Sequence, residues 1–67
     1  MPVVKIIELI GISDVSWEDA VQKAVGEAGK TVRGITGVDI VGQTAEVENG
    51  KIVKYKANVK IAFVVER

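Results

Sequence analysis

The sequence predicts an α+β domain with the element order β-α-β-β, in which one helix lies on the apolar face of an antiparallel sheet. Three observations predict it: an initial stretch rich in Val and Ile, a stretch with apolar residues at three- and four-residue steps, and two alternating stretches separated by Asn49-Gly50. Asn-Gly between alternating stretches is typical of a type I′ hairpin turn. The 67 residues show no linker or repeat, so we interpret residues 1–67 as one domain.

The first predicted element is a strand from Val3 to Ile12. Ile6 and Ile10 fall on one face of this strand, and Ile7 and Leu9 fall on the other. Apolar residues on both faces are expected of a strand that is covered on two sides. A turn is predicted to follow over residues 13–16.

The second predicted element is a helix from Trp17 to Arg33. Ser16 followed by Asp19 resembles a capping box, which places the helix start at Trp17. Gly34 is predicted to end the helix. The apolar stripe of this helix consists of Trp17, Ala20, Val21, Ala24, Val25, Ala28 and Val32. Most of these side chains are small, so we expect the helix to lie close against the sheet.

The last two predicted elements are strands from Val38 to Val47 and from Ile52 to Arg67, joined by the Asn-Gly turn. Gly42 interrupts the first of them and indicates either a β-bulge or a close backbone approach. If Asn49 and Gly50 alone form the turn, the residue numbers of each pair across the hairpin add up to 99. The predicted pairs are Asp39 with Lys60, Val41 with Asn58, Gln43 with Lys56, Ala45 with Lys54, Val38 with Ile61, and Ile40 with Val59.

The length of the last strand predicts that the protein assembles. Its apolar face comprises Val53, Tyr55, Ala57, Val59, Ile61, Phe63 and Val65. Sixteen extended residues span ~50 Å, whereas the predicted helix spans ~25 Å. About half of the apolar row therefore has no cover within its own chain. The chain has no Cys and no His. Disulfides and thiolate metal sites are thereby excluded, and oligomerisation remains as the means of stabilising so small a domain.

The composition excludes several classes of function. Nine Lys and Arg residues balance nine Asp and Glu residues, so neither nucleic acid nor a membrane surface is an expected partner. No signal peptide or membrane span is visible, and the expected location is the cytoplasm. No nucleophile–base pair, phosphate-binding loop or metal-ligand motif is present, so no catalytic residue is assigned and the chain is not expected to be an enzyme.

Two polar clusters are candidate sites, and each has two interpretations. The first is the alternating stripe of the last strand with its predicted neighbours: Lys54, Lys56, Asn58, Lys60, Asp39 and Gln43. It is either a solvated sheet face or the lining of a cavity shared between subunits. The second consists of the carboxylates Glu8, Asp14, Glu18 and Asp19. They either cap the helix and keep the protein soluble, or form a hard-cation site completed by a neighbouring subunit.

The order of these pieces resembles the dodecin family. The resemblance is carried by the segments VVKIIELIGIS, SWEDAVQKAV and GKIVKYKANVKIAFVVE, which cover essentially the whole chain. It implies a hollow spherical dodecamer of this chain in which the sheet partly wraps the helix. It also implies that members bind flavins such as FMN or riboflavin, and in some cases coenzyme A or cations such as calcium, without turnover.

The flavin pocket that the resemblance implies is incomplete in this sequence. In flavin-binding dodecins a Trp before the second strand stacks on the isoalloxazine ring and a Gln on the third strand contacts it. The matching positions here are Gly37 and Lys56. Stacking on an aromatic ring contributes ~1–3 kcal/mol, so flavin binding is expected to be weak. The candidate ligand-binding residues are Thr36, Gly37, Gly42, Gln43, Glu46 and Lys56.

Trp17 does not replace the missing ring in this interpretation. It matches a helix position in a subgroup of dodecin-like proteins that lack the flavin Trp, some of which are described as calcium-binding. At the first turn of an amphipathic helix, a Trp is a packing or interface residue rather than a ligand platform. The expected function is non-catalytic binding and storage or buffering of a small ligand in a dodecameric shell. The alternative is a structural or cation-binding scaffold without flavin.

Overall fold

The computed structural model describes residues 3–65 and contains the predicted sequence of elements. Its elements are β1 (Val3–Ser13), α1 (Trp17–Ala28), β2 (Ile35–Glu48) and β3 (Lys51–Val65). The three strands form one antiparallel sheet in the order β1-β3-β2, with the long alternating strand β3 at its centre. The α+β fold class and the β-α-β-β order are therefore confirmed.

The helix is shorter than predicted. It ends at Ala28, so the predicted extension to Arg33 and the predicted stop at Gly34 are wrong. The amide of Gly29 still donates to the carbonyl of Val25 (2.9 Å), and the amide of Val32 then donates back to the carbonyl of Ala28 (2.9 Å), closing a tight turn. Two glycines at positions 26 and 29 weaken the helix here, which favours an early end. No helix within residues 3–65 is both long enough and apolar enough to cross a membrane.

Gly34 has a different role from the predicted helix stop. It adopts a φ of 77°, in the left-handed region that favours glycine, on the way into β2. Its carbonyl accepts a hydrogen bond from the amide of Val64 (3.0 Å), which fixes the start of β2 against β3. The residue therefore turns the connecting segment rather than capping the helix.

The β2–β3 hairpin has the predicted turn but a partly different register. Asn49 and Gly50 have φ values of 53° and 77°, as a type I′ turn requires. The pairing of Asp39 with Lys60 is confirmed, as are the pairings of Val38 with Ile61 and Ile40 with Val59. Irregularities on either side of the segment 42–46 shift that segment by one residue. The predicted pairs Val41–Asn58, Gln43–Lys56 and Ala45–Lys54 are therefore wrong; the observed pairs are Gly42–Asn58, Gln43–Ala57, Thr44–Lys56, Ala45–Tyr55 and Glu46–Lys54.

The shift follows from the irregularity that Gly42 predicted. Ile40 pairs with Val59 and Gly42 pairs with Asn58, the next residue of β3. Val41, which lies between them in β2, is therefore an extra residue without a partner, as in a β-bulge. Because side chains alternate between the two faces of a strand, a one-residue shift moves each later side chain to the other face. Gln43 therefore lies on the helix side, opposite Ala57, and Thr44 takes the place beside Lys56 that was predicted for Gln43.

The core is built where the helix crosses the middle of the sheet. Its buried apolar residues are Ala20, Ala24, Ala28, Ala57, Val59 and Ile61. The helix approaches β1 so closely that a Cβ atom added at Gly11 would collide with the carbonyl oxygen of Ala20. Small residues on both sides of this contact therefore set the distance between helix and sheet.

Much apolar surface lies outside this small core. The described chain measures 52 × 19 × 13 Å, whereas twelve helical residues span ~18 Å. The large apolar side chains that remain exposed are Val3, Val4, Ile6, Ile10, Ile12, Val15, Val38, Ile40, Val41, Val47, Ile52 and Val65. A monomeric soluble protein rarely exposes apolar surface this extensive. The single chain therefore leaves the strands incompletely covered, as the sequence predicts.

Candidate functional site

The predicted polar stripe lies on the sheet face turned away from the helix, which we call the outer sheet face. Its central residues on β3 are Lys54, Lys56, Asn58 and Lys60. The strand register places Asp39, Gly42, Thr44 and Glu46 of β2 on one side of them, and Glu8, Ile10 and Ile12 of β1 on the other. Thr44 was not among the predicted residues, because the one-residue shift in β2 brings it to this face. The outer sheet face thus carries both charges and exposed isoleucines.

Two predicted ligand-binding residues form an ion pair on this face. The Lys56 Nζ atom lies 2.8 Å from the Glu46 Oε2 atom. Glu46 is opposite Lys54, so its contact with Lys56 is a diagonal one across the hairpin. The hydrogen bond and charge of Lys56, with a smaller effect of Lys54, hold the pKa of Glu46 below its usual value. The ion pair is therefore formed within a single chain.

Asn58 lies between Ile10 and Gly42 at the middle of the outer sheet face. Its side-chain oxygen is buried and has no hydrogen-bond partner among residues 3–65. Buried polar atoms in folded proteins almost always have a partner. We therefore expect a donor from outside the single chain, which can be water, a neighbouring copy or a ligand, to reach this atom.

A single chain does not bring the whole predicted ligand set together. Gly42, Glu46 and Lys56 are neighbours on the outer sheet face. Gly37 is opposite Ala62, six residues along β3 from Lys56 and thus ~20 Å away, and Thr36 precedes it at an irregularity of the register. Gln43 lies on the helix side. The candidate residues therefore lie in three separate places. Gly42, Glu46 and Lys56 form one group on the outer sheet face, Gly37 lies farther along the same face, and Gln43 lies on the helix side.

No aromatic ring lies on the outer sheet face. The chain has one Trp, one Tyr and one Phe, and all three are in the described region. Trp17 contacts Tyr55 edge-on, with ring centroids 4.8 Å apart, and its indole N–H donates to the carbonyl of Thr44 (2.8 Å). Phe63 alternates with the buried Ile61 and so also lies on the helix side. The packing role predicted for Trp17 is confirmed, and a stacked ligand would find no ring on the outer face.

The carboxylate of Asp19 is held by its own chain. Ser13 Oγ donates a hydrogen bond to Asp19 Oδ2 (2.6 Å), and the Lys23 ammonium lies 3.2 Å from the same oxygen. The Asp19 amide donates to Ser16 Oγ (3.0 Å), which confirms the predicted helix cap. Ser13, which is buried, also accepts from the amides of Val15 and Ser16. In a reciprocal capping box, the acidic side chain three residues after the cap accepts a hydrogen bond from the amide of the cap residue. Here Ser13 accepts that hydrogen bond from the Ser16 amide instead of Asp19, a role that the sequence pattern alone did not reveal.

The other predicted carboxylates are separate within one chain. Glu8 lies on the outer sheet face opposite Lys60. Asp14 is exposed in the turn after β1, and Glu18 is exposed in the first turn of the helix. Within residues 3–65 no three acidic side chains are close enough to hold a metal ion. A cation site built from this set therefore needs carboxylates of more than one copy.

The Asp19 cluster predicts a pH dependence of stability. The Ser13 hydroxyl and, secondarily, Lys23 hold the pKa of Asp19 below its usual 3.8. A lowered pKa in the folded state stabilises the protein above the unfolded-state pKa, and this contribution disappears as the pH falls through the folded-state pKa. Chemical unfolding of the wild type and Asp19→Asn should therefore show a stability difference that is largest above about pH 5 and closes toward about pH 2. An equal difference at both pH values would contradict this role of the carboxylate.

The chain is similar over its whole length to known proteins. The Dodecin family model matches residues 3–66. Calcium dodecin of Mycobacterium tuberculosis is 32% identical over 63 residues, which cover 94% of this chain and 89% of that protein. The crystal structure of calcium dodecin from the same organism, described as calcium-chelating, is 34% identical and has a TM-score of 0.82. The similar region covers 96% of this chain and 91% of that chain. A mutant of the Thermus thermophilus dodecin is 25% identical, with a TM-score of 0.96 and full coverage of both chains. This chain, with its β-α-β-β fold and its sheet-covered helix, belongs to the dodecin family.

Proposed function

We propose that this protein is a non-catalytic storage or buffering protein that assembles into a closed, dodecameric shell and binds hard cations such as Ca²⁺. The observation that carries this choice is the position of the three aromatic side chains, all of which lie on the helix side of the sheet. A flavin on the outer sheet face would lack a stacking partner. The relative at 32% identity is named calcium dodecin, which favours a cation as the ligand of this chain also.

The cation ligands in this proposal are Glu8, Asp14, Glu18 and Asp19, contributed by several copies. Ca²⁺ takes six to eight oxygen ligands, and a closed symmetric assembly repeats each carboxylate around its axes. Asp14 and Glu18 are exposed and available for such a site. Ser13 and Lys23 both contact the Oδ2 atom of Asp19, so the Oδ1 atom is the one this proposal assigns to a cation. Zn²⁺ is a poor candidate, since the chain offers neither His nor Cys.

Calcium should raise the melting temperature of the assembled protein. A ligand that binds only the folded assembly stabilises it by about 2.7 kcal/mol at one hundred times its Kd. Calorimetry in excess chelator and in millimolar Ca²⁺ measures this shift. The double variant Asp14→Asn, Glu18→Gln should lose most of it. Glu48→Gln, which removes an exposed carboxylate next to the hairpin turn, should retain it. An unchanged melting temperature in the wild type would contradict the cation proposal.

Weak flavin binding is the second candidate function, favoured by the preformed Glu46–Lys56 pair near Gly42. Lys54, Lys56 and Lys60 should make the phosphorylated FMN a better ligand than riboflavin. A Cβ atom at Gly37 would meet no other atom within 4 Å, so a side chain can begin there without a clash at its first atom. The double variant Gly37→Trp, Lys56→Gln should raise flavin affinity by roughly tenfold or more, because one stacked ring contributes ~1–3 kcal/mol.

Titration of a flavin with protein, followed by the quenching of flavin fluorescence, compares the wild type with the double variant. The wild type should quench flavin fluorescence poorly, and the double variant should quench it strongly. Submicromolar riboflavin binding with strong quenching by the wild type would contradict the assignment of Gly37 and Lys56. Mass spectrometry of molecules released from the purified assembly covers the remaining ligand class, coenzyme A. It also tests the alternative of an empty structural scaffold, which would release no small molecule.

A further inference from the structure

The tip of the β2–β3 hairpin lies beyond the part of the sheet that the helix covers. The helix meets this hairpin through Trp17, which contacts Tyr55 and the carbonyl of Thr44, well before the turn. Residues 48–51, which form the turn and its flanks, are all exposed, and each of them is polar or glycine. Burial of apolar surface therefore gives no reason for another copy to cover the turn itself.

The pairing that closes this tip is short. Two residue pairs, Val47 with Ile52 and Glu48 with Lys51, separate the turn from an irregularity of the register at Val53. Val47 is 60% exposed and Ile52 is 47% exposed, so burial contributes little to holding the tip together. Segments with few buried contacts open locally at a free energy well below that of global unfolding. The tip can therefore open while the rest of the sheet stays paired.

The two turn residues carry a reactive combination of groups. The side-chain amide of Asn49 is a chemically labile group, and the backbone nitrogen that can attack it belongs to Gly50, which has no side chain to hinder the approach. A Cβ atom added at Gly50 would meet no other atom within 4 Å, so the space around this nitrogen is open. Among residues 3–65, no hydrogen bond holds the side chain of Asn49 or the amide of Gly50.

We propose that Asn49 is a site of spontaneous deamidation in the folded, assembled protein. When the tip opens, rotation about the Asn49 Cα–C bond brings the Gly50 nitrogen to the Asn49 Cγ atom. The Gly50 nitrogen gives up its proton to a base in solution and forms a bond to Cγ, and the side-chain nitrogen takes up a proton and leaves as ammonia. Water then opens the resulting cyclic imide at either carbonyl, which yields aspartate or isoaspartate. The net reaction consumes one water and releases one ammonia, without an oxidant or a reductant.

The isoaspartate product is incompatible with the turn that the structure shows. It inserts the Cβ atom of residue 49 into the backbone, whereas the type I′ turn with φ values of 53° and 77° accommodates two ordinary residues. The new carboxylate also lies next to Glu48, and neighbouring like charges are unfavourable. We expect the two pairs that close the turn to be lost and the irregularity at Val53 to confine the change to the tip.

The test follows both Asn side chains of the chain, Asn49 and Asn58, while the purified assembly is incubated for weeks at mildly alkaline pH. Mass spectrometry of peptides prepared at mildly acidic pH, which avoids further deamidation, should show a growing loss of the amide at Asn49 and an intact amide at Asn58. Asn58 is the internal control, because its side-chain oxygen is buried and the β-branched Val59 follows it. The rate at Asn49 should not change with protein concentration, since local opening does not require dissociation.

Hydrogen exchange measures the structural consequence. The aged wild type should lose amide protection at residues 47–52 and retain it in the rest of β3. The matched variant Asn49→Gly lacks the reactive amide and places Gly-Gly in the turn, which also suits the type I′ geometry. It should keep both its mass and its exchange pattern during the same incubation.

Four results would overturn the proposal. The first is an unmodified Asn49 under conditions that deamidate a short peptide with the sequence of residues 48–51, which would show that the turn or another copy protects it. The second is equal loss of the amide at Asn58. The third is a rate at Asn49 that falls as protein concentration rises, which would place the reaction in the dissociated chain. The fourth is unchanged protection of the tip after Asn49 has been converted.

Discussion

Gly11→Ala is expected to abolish the folded protein. The new methyl group would point at the carbonyl oxygen of Ala20 and would lie 3.1 Å from the Cβ atom of Ala24. Both obstacles belong to the buried face of the helix, where no flexible side chain can move aside. The helix would have to separate from β1 and lose its contact with Val59 and Ile61 on β3. Overpacking of a core costs typically ~1–3 kcal/mol and more where backbone must move, which is a large share of a small domain's stability.

The measurement is soluble yield followed by circular dichroism and thermal unfolding. Gly26→Ala is the matched control, since the same methyl group at that exposed helix position meets no atom within 4 Å. It should fold and gain up to about 1 kcal/mol through better helix propensity. A Gly11→Ala protein that melts like the wild type would show that the helix does not pack as closely as described.

Val59→Asp is expected to block folding and assembly together. Val59 is 0% exposed and belongs to the same buried apolar cluster as Ala20, Ala24 and Ile61. An isolated carboxylate there would have no ionic partner, and burying an unpaired charge costs several kcal/mol even after relaxation. Within residues 3–65 the core has six buried apolar residues, four of them alanine, which cannot offset that loss. Ile61→Asp, also at 0% exposure, should behave in the same way.

Two further variants separate charge burial from the loss of packing. Val59→Ala removes volume without adding a charge and should leave a destabilised but assembled protein. Lys51→Asp adds the same carboxylate at the exposed start of β3 and should assemble normally. Light scattering and circular dichroism on the same samples report assembly and folding. A folded Val59→Asp monomer would contradict the expected coupling of the two.

The elements that the sequence predicts well are those with strong local signals. Alternation over β3 and the Asn49-Gly50 turn determine the hairpin, and Ser16 determines the helix start. The end of the helix was predicted too late because Val32 continues the apolar spacing. The spacing of apolar residues carries no information about the two glycines and the tight turn after Ala28 that end the helix earlier.

The register of the hairpin and the composition of the candidate site depend on β-bulges and on contacts between distant residues, which the local sequence pattern does not specify. Gly42 predicted an irregularity, but not that a second one near the turn would restore the original pairing. Only the structure therefore shows that Gln43 turns to the helix side and Thr44 to the outer face. The role of Ser13 was missed because its partners are a side chain six residues later and two turn amides. The separation of Gly37 from Lys56 shows that a site using both needs residues of more than one copy.

The mass and the melting behaviour of the purified wild-type protein test most directly whether the chain folds only as an assembly. One chain leaves its strands partly uncovered, and we expect other copies to complete both the fold and the site. Sedimentation at micromolar concentration should show twelve chains of 7.2 kDa each, about 86 kDa, and the melting temperature should rise with protein concentration. A folded species near 7.2 kDa, with a melting temperature independent of concentration, would contradict it.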